Sequence, residues 1–349
     1  MEKTQKTLLV TGASGYLASW VVKQLLDQGH VVHGTVRSLN NQAKVSHLLS
    51  LAEDYPEKLK LFEADLLQVG SFSEAMNNCD VVIHTASPYF LKPSKNTQSE
   101  LIDPAIKGTE NVLNSVNKTE TVTRVVLTSS MVALYNNAKD FAGRPDCQVN
   151  ESDVNHNQDM NYNSYAFSKT QAEKVAWDIN AKQQRWDLVT VHPGAVFGPS
   201  LSDRKDATSV NMLIDYLNGN FKHGVPNISL GVVDVRDTAE VHVKAALTQA
   251  AAGKYLSVAA THTFLELAKF IDPEKFDIKD QLPRKEVPKF LVWMIAPFID
   301  MQRKYVTNNV GYDLSFDSSR SESELGVNYR STETTIEDHI QQLVMNKLI

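Results

Sequence analysis

The sequence predicts an α/β protein: a doubly wound parallel sheet followed by a smaller, mostly helical C-terminal lobe. Three observations carry this expectation. Short apolar, β-branched runs alternate with helical stretches from Thr7 to His192. A glycine-bearing turn, Thr11-Gly12-Ala13-Ser14-Gly15, joins the first run to the first helical stretch. The alternation stops after Pro199, where helices of mixed polarity and a few short strands take over.

The elements follow in order. Residues 7–10 read as the first strand and 15–28 as a helix, with Leu17, Val21 and Leu25 on one face. Gly29 closes that helix, since glycine adopts the left-handed conformation past a helix end at little cost. Further strands are expected at 31–36, 59–62, 80–84, 124–128 and 187–192, and helices at 41–54, 71–78, 99–117 and 162–184. Strands that alternate with helices pair in parallel through right-handed crossovers. The Asn- and Asp-rich stretch 135–160 has no periodicity and reads as a loop at a strand end, where functional residues concentrate. A strand-plus-helix piece at 229–251 is expected to return to the main sheet, and 332–348 to form a polar terminal helix.

The chain has 349 residues, enough for about two domains and a sizeable core without staples. Its net charge of −6 offers no basic excess for a nucleic-acid partner. Cys79 and Cys147 lie far apart without a CxxC spacing, so neither a disulfide framework nor a metal site is expected, and a reducing, cytoplasmic setting fits. The first apolar run is too short for a signal-peptide core. The apolar segment 287–299 is shorter than the about 20 residues a membrane span requires. It reads as a buried helix of the C-terminal lobe, with an interfacial helix as the alternative. Monomer and homodimer are both open.

The glycine turn has the strand-before, helix-after context that gives such motifs their meaning. Gly12 permits the tight turn, Gly15 removes a side chain where a pyrophosphate approaches, and Ala18 allows close helix–sheet packing. With Ser14, Tyr16 and Leu17 these residues form a candidate dinucleotide site, which makes residues 1–198 a Rossmann-type domain and 199–349 a substrate-binding lobe. The second strand ends His33-Gly34-Thr35-Val36-Arg37, with no acid to hold a ribose 2′-hydroxyl. Arg37 suits a 2′-phosphate, assisted by Lys44, so the expected cofactor is NADP(H). Asp65, followed by Leu66, is placed either to accept from the adenine amino group or to cap a turn.

Tyr165 and Lys169 stand four residues apart in a helical run and so share one face. A phenol has a pKa near 10, too high for efficient proton transfer at neutral pH, and a neighbouring ammonium lowers it. YxxxK alone is weak evidence. Ser129 and Ser130, however, end the fifth strand, at the carboxyl edge where open α/β sheets bind ligands. A hydroxyl there can donate to a carbonyl oxygen.

These motifs resemble the extended short-chain dehydrogenase/reductases. They are TGASGYLAS at 11–19, GTVRS at 34–38, ADL at 64–66, HTASP at 84–88, LTSS at 127–130, YAFSK at 165–169, HPGAVFGPS at 192–200 and DVRDTAEVH at 234–242. The resemblance covers about residues 1–250 and points to the branch of dihydroflavonol reductases, cinnamoyl-CoA reductases and microbial methylglyoxal, aldehyde and ketone reductases. It implies NADPH-dependent reduction of a small-molecule carbonyl to an alcohol, with Ser130, Tyr165 and Lys169 as the catalytic group. It also implies that Thr85, Ala86 and Ser87 line the nicotinamide ribose, that Pro193 and Val196 pack on the nicotinamide, and that 234–237 is a structural junction.

Departures narrow the substrate. Cinnamoyl-CoA reductases carry NWYCYGK where this chain has Asn161-Tyr162-Asn163-Ser164-Tyr165-Ala166-Phe167-Ser168-Lys169, which argues against a strict CoA ester. Dihydroflavonol reductases follow TSS with Ala-Gly, and this chain has Met131-Val132-Ala133. Aldehydes, ketones or α-dicarbonyls are therefore favoured, with Tyr89, Phe90, Met131, Tyr162 and Phe197 as candidate pocket residues. The alternatives are a dihydroflavonol- or steroid-type hydroxy dehydrogenase, a nucleotide-sugar epimerase, and a non-catalytic NADP-sensing protein.

Overall fold

The computed structural model describes residues 5–87, 96–203, 207–276 and 278–348. β1 (Thr7–Thr11) leads through α1 (Tyr16–Asp27) to β2 (Val31–Val36), α2 (Gln42–Asp54) and β3 (Leu59–Glu63). α3 (Ser73–Met76), β4 (Val81–His84), α4 (Asp103–Lys118) and β5 (Arg124–Thr128) follow. The long loop after β5 contains the short β6 (Gln148–Val149) and ends at α5 (Ser164–Asn180), which returns the chain to β7 (Asp187–Pro193). Then come β8 (Ala195–Phe197), α6 (Thr208–Leu217), β9 (Val225–Pro226), β10 (Ser229–Asp234), α7 (Val235–Leu247) and β11 (Gly253–Ser257). β12 (Ala260–Thr263), α8 (Phe264–Ala268), β13 (Glu286–Val287), α9 (Lys289–Ile295), α10 (Arg303–Asn309), β14 (Ser315–Phe316), α11 (Ser319–Leu325) and α12 (Thr332–Met345) complete the chain.

Seven parallel strands form the main sheet in the order β11-β7-β5-β4-β1-β2-β3. Helices cover both faces, and this is why the strands are almost continuously apolar. Successive side chains alternate between faces. Leu8 and Val10 pack with α1 and α7, whereas Leu9 packs with α4 residues and Trp186 on the other side. The strand order reverses between β1 and β4, so a crevice opens beyond their carboxyl ends. This is the doubly wound Rossmann-type arrangement the sequence predicts.

Part of the 229–251 expectation needs correcting. α7 does return and packs on α1. β10 does not. It lies in a separate three-stranded sheet between β12 and β8. The strand that joins the main sheet is β11, alongside β7. Val232-Val233 and Tyr255-Leu256 have the same apolar character, and periodicity does not say which sheet an apolar strand enters.

The 234–237 junction ties α7 to the C-terminal segment. Buried Asp234 caps α7 by accepting from the Arg236 backbone N–H at 2.8 Å and pairs with the Arg236 guanidinium at 2.7 Å. Arg236 also reaches Asp338 on α12 at 2.8 Å. Asp237 accepts from the Arg330 backbone N–H at 2.6 Å and pairs with its guanidinium. Asp234→Ala removes the α7 cap and the charge-assisted bonds to Arg236, while Arg236 keeps Asp338 as a partner. The substitution is therefore expected to cost about 2–4 kcal/mol, read as a lower denaturant midpoint. An unchanged midpoint would show that the junction does not hold the lobes.

The 287–299 segment also differs from expectation. α9 and the turn Ala296–Phe298 bury only Val292 and Ala296, against Ile228, Val306 and Val310. Phe290, Trp293, Met294 and Phe298 face solvent. A helix that is apolar all round but lies on the surface has only one stripe covered. Among the described residues no helix is long and apolar enough to cross a membrane.

Candidate active site

The crevice begins at the glycine turn. Gly12 has φ +64°, and a Cβ there would stand 3.1 Å from that of Ala86, so the turn at β1 and the end of β4 meet only because Gly12 has no side chain. Gly34 does the same for Ala13, where a Cβ would come within 2.9 Å. Thr11 accepts from the Ala86 backbone N–H at 3.1 Å and meets His84 Nδ1 at 2.8 Å, while the Thr85 hydroxyl donates to the Thr11 carbonyl at 2.5 Å. Burial first, then the charge of Lys169, push His84 down to about 3, so it stays neutral. Gly15 caps α1, and Ser14 lies in the turn before it. Leu17 packs onto the core. The Tyr16 hydroxyl donates to the Gly198 carbonyl at 2.5 Å, and burial raises its pKa well above that of a free phenol.

Arg37 follows β2 with 85% of its side chain exposed, its guanidinium 4.0 Å from the Asp65 carboxylate. Lys44 is likewise exposed, on α2. Asp65 Oδ1 accepts from the Leu67 backbone N–H at 2.8 Å, a turn-capping bond, so one of the two readings of this residue has a visible partner. Leu66 packs so closely on α4 that a Cβ at Gly108 would stand 3.1 Å from it.

At the end of β5 the two serines separate. The Ser129 hydroxyl donates to Glu173 Oε2 at 2.5 Å and is committed to that carboxylate. Ser130 accepts from the Val132 backbone N–H at 3.4 Å, which leaves its own proton to donate. α5 starts beside this strand end and packs on the Met131–Ala133 turn. Asn163, at φ +49°, caps α5 and accepts from the Ala166 backbone N–H at 3.4 Å. Tyr165 therefore lies in the first turn of α5 and Lys169 one turn on, on the same face. Lys169 Nζ donates to the Thr128 carbonyl at 3.4 Å. Burial lowers its pKa to about 8, partly opposed by the charge of Glu173. A small cavity brings Ala86 and Ser87 from beyond β4 together with Thr128, Ser129, Lys169 and Glu173.

The buried polar layer beneath Lys169 is what sequence reasoning missed. Glu173 Oε2 pairs with His192 Nε2 at 2.8 Å, and Oε1 lies 3.7 Å from Lys254 Nζ and accepts from the Trp177 indole at 3.2 Å. Burial pushes the Glu173 carboxyl up, but His192, Lys254 and Ser129 outweigh it and hold the pKa at about 2. Thr128 meets His242 Nε2 at 2.8 Å, and His242 Nδ1 donates to the Thr238 carbonyl at 2.8 Å. The one local signal was a glutamate four residues after Lys169.

Pro193 ends β7, and Val196 lies half-buried on β8 beside Val233. The pocket candidates fare differently. Phe197 and Tyr162 are each only 1% exposed. Phe197 packs with Val210, Leu213 and Ile336, and the Tyr162 hydroxyl donates to Asn137. Both side chains are thus almost wholly enclosed. Met131 is buried against Leu134 and Ala138, next to Ser130. Tyr89 and Phe90 lie outside the described residues.

The family model "NAD dependent epimerase/dehydratase family" matches residues 8–259. A cinnamoyl-CoA reductase of Medicago truncatula is 36% identical over 97% of this chain and 95% of its own. Tetraketide alpha-pyrone reductase 1 of Arabidopsis thaliana is 36% identical over 99% of this chain and 97% of its own. Among solved structures, Gre2 of Candida albicans in complex with NADPH superposes with a TM-score of 0.79 at 28% identity, covering 98% of this chain and 99% of that one. With its strand order, glycine turn and Tyr165/Lys169 helix, the chain belongs to the NAD dependent epimerase/dehydratase family, among the extended short-chain dehydrogenase/reductases that the motifs resemble.

Proposed function

We propose that this chain reduces an aldehyde or ketone to the alcohol with NADPH, through Ser130, Tyr165 and Lys169. It is an NADP-dependent oxidoreductase, and its named relatives are reductases. The observation that carries the reading is the buried Lys169, one helical turn from Tyr165 and beside the β5 strand end that presents Ser130. The residues fit the cofactor: Gly12, at φ +64°, makes the tight turn that leads from β1 to the N-terminus of α1 capped by Gly15, and the exposed Arg37 stands where an NAD enzyme places an acid.

When bound, NADPH supplies a hydride to the carbonyl carbon. Ser130 donates a hydrogen bond to the carbonyl oxygen and holds it in place. Tyr165 passes its phenolic proton to that oxygen as negative charge develops. The Lys169 ammonium favours the phenolate left behind and so lowers the Tyr165 pKa. Glu173 holds Ser129 and His192 beneath this group and keeps a negative charge near Lys169. The substrate class favoured by Met131-Val132 and Asn163-Ser164 is an aldehyde, ketone or α-dicarbonyl, rather than a CoA ester or flavonoid.

NADPH consumption with a panel of aldehydes, ketones, α-dicarbonyls and CoA esters tests this. Binding of NADPH without turnover of any carbonyl would overturn it. For the cofactor, Arg37→Ala is expected to raise the Kd for NADPH roughly tenfold or more while NADH barely moves, as the loss of a charge-assisted phosphate bond requires. Equal weakening of both cofactors, measured by fluorescence titration, would remove Arg37 from 2′-phosphate recognition.

A further inference from the structure

The α9 face has no assigned role. Of the thirteen large apolar side chains exposed among the described residues, seven lie between Phe290 and Ile299, so this is a patch and not scatter. Phe290 is 64% exposed, Met294 52% and Phe298 88%. Val292 and Ala296 pin the opposite stripe to Val306 and Val310, so the apolar face is held outward.

The rim of the patch is basic. In a chain of net charge −6, residues 284–304 hold five basic and two acidic side chains; of the five, Arg284 pairs with Asp280 at 3.0 Å and Lys304 faces Asp159 at 3.8 Å, so Lys285, Lys289 and Arg303 carry the rim. One of the acids, Glu286, already accepts from the Asn227 side chain at 2.8 Å. The Arg303 guanidinium lies 4.3 Å over the Trp293 ring and the Lys289 ammonium 4.3 Å over Tyr312. Aromatic and aliphatic residues on one side with cations at the edge suit the boundary between lipid headgroups and acyl chains. α9 is too short to span a bilayer but long enough to lie in its surface.

We propose that α9 and the turn after it dock this protein reversibly on an anionic membrane surface. A second copy fits the patch less well. A two-fold interface is self-complementary, so it would set the basic rim of one copy against that of the other. Anionic headgroups satisfy the rim and the apolar face together. The docking face adjoins the candidate site: Gln302 donates to the Asn161 carbonyl at 2.5 Å, and Lys304 lies 4.4 Å over the Tyr162 ring, three residues before Tyr165. Resting on the activity proposed above, this placement suits apolar carbonyl substrates that dissolve in lipid.

Vesicle co-sedimentation of the full chain tests the docking independently of turnover, using phosphatidylcholine alone and phosphatidylcholine with about a third phosphatidylserine. The expected result is partitioning onto the anionic vesicles that weakens with salt and is at least roughly tenfold lower on phosphatidylcholine alone. Phe290→Ser/Phe298→Ser should lower that partitioning by on the order of tenfold or more. Lys289→Gln/Arg303→Gln should lower it on anionic vesicles only, also by about tenfold. Both Phe residues are exposed, so the melting temperature and turnover of a small water-soluble carbonyl should be unchanged. No sedimentation with either vesicle overturns the proposal, and so does equal sedimentation with both. Self-association in solution that the Phe290/Phe298 variant abolishes would also overturn it, by assigning the patch to a second copy. Vesicle binding without carbonyl turnover would leave the docking standing and remove only the proposed activity.

Discussion

Tyr165→Phe is expected to leave NADPH binding intact and to cut kcat by a factor on the order of 10² or more, the usual scale of general acid–base catalysis. The substitution removes one oxygen and keeps the ring. Tyr165 sits in the first turn of an α-helix whose cap, Asn163, is unaffected. Lys169, Ser130 and the glycine turn also remain, so the cofactor site is preserved while the proton donor is lost. Single-turnover kinetics with NADPH and an accepted carbonyl measure the effect directly. Wild-type turnover in the Phe variant would remove Tyr165 from the mechanism.

Lys169→Met is expected to separate activity from stability. Turnover should fall by on the order of 10² or more, because the ammonium that lowers the Tyr165 pKa is gone. Stability at neutral pH should rise by about 1–3 kcal/mol. Lys169 is buried, and burial takes its pKa from 10.5 in the unfolded chain down to about 8. Below pH 8 both states bind the proton and the folded state bears the full cost of an enclosed cation. Between about pH 8 and 10.5 the unfolded chain binds more protons, so this group's contribution to stability improves as pH rises. The advantage of the Met variant should therefore shrink over that window, as read from denaturant midpoints at neutral and alkaline pH. Glu173 keeps Ser129, His192 and Lys254 as partners in the variant, so no second buried charge is stranded. In the wild type, kcat/KM should decline as pH rises through about 8 and Lys169 loses its proton. A flat profile, together with a Met variant less stable at neutral pH, would show that Lys169 is held charged by partners other than those seen here.

What the sequence alone determined is local. Apolar runs of strand length, Gly12 between the first strand and first helix, Arg37 after the second strand and the Tyr165/Lys169 spacing all follow from neighbours within a few residues, and the helical period and turn geometry make these legible. Only the tertiary structure decided what covers each apolar face and where each buried charge finds its partner. Glu173 became the centre of a buried layer because β5, β7 and β11 deliver Ser129, His192 and Lys254 to one point beneath α5. β11, and not β10, took the edge beside β7. Phe197 and Tyr162 were enclosed by the lobe, while the equally apolar α9 was left facing outward. A pattern of hydrophobicity records that a face is apolar. Which surface meets it depends on contacts between residues far apart in the chain, and these exist only once the layers have packed.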